Sequence, residues 1–97
     1  MSPSAGRIIS NILMKLEKYT EANIILSDLI EQYPEDYQAD EFLFKSAMIE
    51  EILGNYQKSF DLYQTLMDKH ETSLYYEKAR ENARLLSEKI KKEQVSG

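Results

Sequence analysis

Two stretches of this chain repeat each other at a spacing of 37 residues. Leu16-Glu17-Lys18-Tyr19 is followed at helical spacing by Ala22 and Leu26, and Leu53-Gly54-Asn55-Tyr56 is followed likewise by Ser59 and Tyr63. Tyr19 pairs with Tyr56, Ala22 with Ser59, Leu26 with Tyr63, Leu29 with Leu66 and Asp36 with Ser73. A fixed period of this size predicts an α-solenoid built from two-helix units, each packing a small residue of its second helix against its partner.

Periodicity and breakers divide the chain into five helices. The first spans about Pro3 to Leu16, capped by Ser2 or Ser4, with Pro3 in the first turn and Ile8, Ile9, Ile12, Leu13 and Leu16 on one face. The second spans Thr20 to Gln32 and ends before Pro34, because the residue ahead of a proline avoids the helical region. Asp36 is expected to cap a third helix, Tyr37 to Leu53, which stops at Gly54. A fourth runs from Tyr56 to Lys69, and Ser73 is expected to cap a fifth from Leu74 to Lys92. Short loops make successive helices antiparallel neighbours. The expected fold is therefore all-α: an α-solenoid of two antiparallel helix hairpins plus a C-terminal capping helix. Within a single domain, repeat 1 covers 3–36, repeat 2 covers 37–73 and the cap covers 74–92, with 93–97 expected to be a disordered tail.

Composition narrows the function classes. With 97 residues the chain holds one modest core. A net charge of −5 argues against nucleic acid or anionic lipid as the main partner. The absence of cysteine excludes disulfide and thiolate chemistry and leaves the compartment undecided. No apolar run is long enough to span a membrane, and the N-terminus lacks the basic and apolar segments of a signal peptide. The chain is expected to be cytoplasmic if full-length, or periplasmic if it is a piece of an exported protein.

The residues Leu43, Ser46, Ala47 and Glu50, followed by Gly54, Tyr56, Ser59, Tyr63 and Leu66, resemble the tetratricopeptide-repeat family. The resemblance implies that Ala47 and Ser59 fill the small positions where paired helices approach, that Gly54 makes the turn, and that Tyr63 and Leu66 fill the core. The first unit matches through Tyr19, Ala22, Leu26, Leu29 and Pro34, but carries Glu17 where a glycine is usual, and Glu71 replaces the closing proline of the second. The spacing exceeds the family's usual ~34 residues. Tyr33-Pro34-Glu35-Asp36 and Ser73-Leu74-Tyr75-Tyr76 are similar to a longer-looped bacterial branch that includes cell-envelope proteins.

Candidate chemistry is sparse. His70 is the only histidine and lacks partners at metal-ligand spacing. Glu50 and Glu51 point about 100° apart on a helix and do not converge. No nucleophile or glycine-rich loop accompanies them, so no enzyme activity, metal or cofactor is expected. The family resemblance implies a partner-binding concave face lined by the first helix of each unit. Its expected residues are Arg7, Asn11, Lys15, Phe44, Lys45, Met48, Glu51 and Lys78. Phe44 and Met48 lie one turn apart, forming either an apolar anchor for a peptide or part of the core. Tyr19, Tyr56 and Tyr63 are expected in helix packing.

Two readings of function follow. One is an interaction scaffold that holds a peptide or protein segment in this groove, as part of a longer repeat protein. The other is an assembly module that self-associates through the apolar face Ile8, Ile9, Ile12 and Leu13, as a homodimer or a stacked array.

Overall fold

The chain enters its first helix through a serine cap. The Ser2 side chain accepts the Ala5 backbone N–H at 3.2 Å, and Pro3 follows in the first turn, where its missing N–H costs nothing. The computed structural model describes residues 1–96. The described residues form α1 (Pro3–Lys15), α2 (Tyr19–Gln32), α3 (Ala39–Ile52), α4 (Tyr56–Lys69) and α5 (Tyr76–Ser96), with no strand among them. Each helix packs mainly on the next in sequence. The result is an α-solenoid of two antiparallel hairpins, α1–α2 and α3–α4, followed by α5. Its shortest dimension is 19 Å, which is two helix diameters. Side-chain pairs join α1 to α3 and α3 to α5, so the odd-numbered helices share one layer.

The 37-residue period is written into the backbone hydrogen bonds. Leu16, Glu17 and Lys18 donate to the carbonyls of Ile12, Met14 and Leu13; Leu53, Gly54 and Asn55 donate to those of Ile49, Glu51 and Glu50. The longer loops match as well. Asp36 donates to Tyr33 and Ala39 to Asp36, just as Ser73 donates to His70 and Tyr76 to Ser73. Gly54 sits at φ 83° and Glu17, its counterpart, at φ 58°. The non-glycine residue therefore makes the same left-handed turn.

The caps expected at Asp36 and Ser73 are corrected. Asp36 Oδ1 accepts the Gln38 N–H at 2.9 Å, and Ser73 Oγ accepts the Tyr75 N–H at 3.0 Å. Both side chains brace the loop rather than the helix, as short polar side chains do when they reach two residues ahead. Accordingly α3 and α5 begin at Ala39 and Tyr76, two residues later than the periodicity suggests. Ser73 Oγ also donates to Asp40 Oδ2, tying the second loop to the start of α3. At its far end α5 continues past Lys92 to Ser96, since no glycine or proline interrupts that segment. Gly97, the end of the expected tail, lies outside the described residues.

Two apolar clusters hold the layers together. Ala22, Leu26 and Leu29 of α2 enclose Phe42 and Ile49 of α3. Leu43, Phe44 and Ala47 of α3 meet Tyr63 and Leu66 of α4 and Ala79, Ala83 and Leu86 of α5. Helices approach closely at small residues. Ser59 Oγ donates to the Ala47 carbonyl at 2.6 Å, which lets a buried hydroxyl sit against backbone with its donor satisfied. At the other hairpin a Cβ on Gly6 would lie 2.6 Å from Leu29 Cδ1. Ser10, one turn later, is fully buried.

Candidate functional site

The layer of α1, α3 and α5 carries a polar network at the expected groove. Arg7 Nε donates to Glu41 Oε2 at 2.6 Å, Lys45 Nζ pairs with the same carboxylate, and Lys45 also donates to Asn11 Oδ1 at 2.6 Å. Burial pushes the Glu41 carboxyl up, but the hydrogen bonds and charges of Lys45 and Arg7 outweigh it and hold it below its ordinary range. The nearby Tyr75 hydroxyl is pushed up by burial and by the charges of Glu41 and Asp40. Arg7, Asn11 and Lys45 are thus brought together, but they are occupied with one another and with Glu41.

Phe44, read from the sequence as either a peptide anchor or part of the core, lies in the core. Phe44 is only 8% exposed; its ring stacks on Tyr75 at 4.9 Å and meets Tyr63 edge-on at 5.5 Å. The loop before α5 lays Tyr75 over it, and two turns of apolar residues on α3 leave it facing α4 and α5. Met48 packs in part against the same cluster. Met48 and Glu51 line a shallow depression with Ile52, Tyr63, Asn82 and Lys89, where Glu51 Oε2 accepts Lys89 Nζ at 3.1 Å. Lys15 is exposed in the last turn of α1, and Lys78 lies among the charged residues Glu77, Arg80, Glu81 and Arg84 of α5. Neither joins the Glu41 network.

A different surface emerges when the three odd helices are aligned on the period. Ala5, Ile9 and Ile12 of α1 stand where α3 has Phe42, Ser46 and Ile49 and α5 has Ala79, Ala83 and Leu86. In α3 and α5 these positions are buried against the preceding helix, α2 or α4. Among the described residues no helix covers these positions in α1. Ile8, Ile9, Ile12 and Leu16 are 57%, 38%, 52% and 60% exposed, and together form a continuous strip along one side of the helix. Leu13, grouped with them from sequence, turns inward and packs against the α2–α3 cluster instead.

The opposite set of positions differs in the same way between α5 and the other odd helices. Gly6, Ser10 and Leu13 of α1 correspond to Leu43, Ala47 and Glu50 of α3, and these pack inside their own hairpins. On α5 the corresponding residues are Arg80, Arg84 and Ser87, with both arginines exposed and paired to Glu77 and Glu88. The outward side of α5 is charged, and that of α1 is apolar. Gly6 and Ser10 were missed as small contact positions because the turn residue Glu17 made the first unit look irregular. The signal was present, since Ser10 lies one period before Ala47.

Among the described residues no group of three or more His, Cys, Asp or Glu side chains is placed to hold a metal ion, and no helix is long and apolar enough to cross a membrane. Compared with protein-family models, curated proteins and solved structures, the chain matches none.

Proposed function

We propose that this chain is a protein-interaction module of the tetratricopeptide-repeat type, and that its docking surface is the exposed apolar side of α1. The observation that carries this reading is the register: Ile9 and Ile12 occupy positions that are buried against a neighbouring helix in both α3 and α5. An apolar strip of this extent, rimmed by polar residues, marks an interaction site on a water-facing helix. The partner it fits is helical, because a helix is what covers the equivalent positions elsewhere in the same molecule.

A peptide in the concave groove is the second reading, favoured by the depression between α3 and α5 lined by Met48, Ile52 and Lys89. Phe44 is withdrawn from that groove into the core, and the groove charges Glu51 and Lys89 pair with each other. Affinity capture with the wild-type chain, Ile12→Glu and Lys45→Glu separates the two. The α1 reading expects Ile12→Glu to lose its partners and Lys45→Glu to keep them; the reverse pattern would place binding in the groove.

A further inference from the structure

We infer that the occupant of the α1 face is a second copy of this chain, packed about a two-fold axis with α1 antiparallel to α1. The inference rests on the docking reading above and adds the identity of the partner.

The strip is self-complementary. Ile8, Ile12 and Leu16 are spaced four residues apart, so the series is symmetric about Ile12. Reversing one copy sets Ile12 against Ile12 and Ile8 against Leu16, with Ile9 beside the centre. Antiparallel packing also opposes the two helix dipoles favourably. A head-to-tail stack, by contrast, would need a second apolar end for α1 to meet. The other end of the array presents Arg80 and Arg84, each 60% or more exposed at the side chain, with Glu77 and Glu88 paired to them. Placing α1 there would bury charges against isoleucines. A contact that closes on itself also explains how an apolar face is tolerated without growth into fibres.

The size of the strip sets the strength. Four side chains offer a few hundred Å², below the ~800 Å² that each partner of a standard stable complex buries. The dimer therefore forms and dissociates with concentration in the micromolar range or above.

The chain has no cysteine, so single introduced cysteines report geometry without interference. Sedimentation equilibrium from micromolar to millimolar concentration should show a monomer–dimer mixture for the wild type. Ile12→Glu should be monomeric throughout, with an unchanged circular dichroism spectrum because Ile12 is half exposed. Under mild oxidation Ile12→Cys should form a disulfide-linked dimer, since two copies of a residue on a two-fold axis fall within disulfide reach. Ile24→Cys, more exposed still but on α2, should not. A wild type that stays monomeric at every concentration overturns the two-fold dimer, as does equal cross-linking of the two cysteine variants. If that monomer still captures partners that Ile12→Glu loses, only the identity of the partner was wrong. A dimer that survives Ile12→Glu overturns the α1 docking reading as well.

Discussion

Glu17 makes the turn between α1 and α2 with a backbone that suits it poorly. The left-handed conformation costs an L-residue roughly 1–2 kcal/mol, and replacing it with glycine loses back about 0.5–1 kcal/mol through unfolded-state entropy. Glu17→Gly should therefore raise stability by about 0.5–1 kcal/mol. Gly54→Ala should lower it by about 1 kcal/mol through the backbone alone, since a Cβ there meets no atom within 4 Å. Urea midpoints of the two variants decide the matter, and a lowered midpoint for Glu17→Gly would mean its carboxylate does something the turn geometry does not reveal. Glu41 gives a pH handle at the same scale. Its folded pKa lies below the ordinary value of 4.5, so its ion pairs stabilise fully above that value and fade as the pH falls through the depressed one. The stability advantage of the wild type over Glu41→Gln should hold at neutral pH and vanish on acidification. An advantage that grew with acid would contradict the assignment.

The helices themselves were largely legible in the sequence, because apolar spacing and the breakers Pro34 and Gly54 act locally. All five helix starts and four of the five stops fall within two residues of the periodicity, and the one larger departure, the extension of α5 to Ser96, comes where no breaker exists to read. What the spacing left open is which side of α3 faces which neighbour. Phe44 and Met48 share a stripe with either a groove or a core, and one sequence cannot choose. The choice is made by Tyr75, brought over Phe44 by a loop whose shape depends on Ser73 bracing the Tyr75 N–H. Phe44→Ala should accordingly cost about 3–5 kcal/mol, as for other buried aromatics cut to alanine. Chemical denaturation measures it. A loss under about 1 kcal/mol, the scale of a surface substitution, would return Phe44 to the exposed face.

At the scale of the molecule, the two ends of the array differ by a handful of side chains. The same backbone register that buries Phe42 and Ile49 in α3, and Ala79 and Leu86 in α5, exposes Ile9 and Ile12 in α1. Arg80 and Arg84 put charge on the outward side of α5. The apolar face of Ile8, Ile9 and Ile12 was legible in the sequence as a surface for self-association, but the assembled helices turn Leu13 inward and add Leu16 to the exposed strip. The asymmetry of the two ends follows when the period is applied to all three odd helices. Amide hydrogen exchange along the chain, recorded at low and high protein concentration, tests it most directly. Protection should rise with concentration in α1 and stay constant in α5, because only the apolar end gains a neighbour. Protection that rises in α5, or in neither helix, would contradict the account.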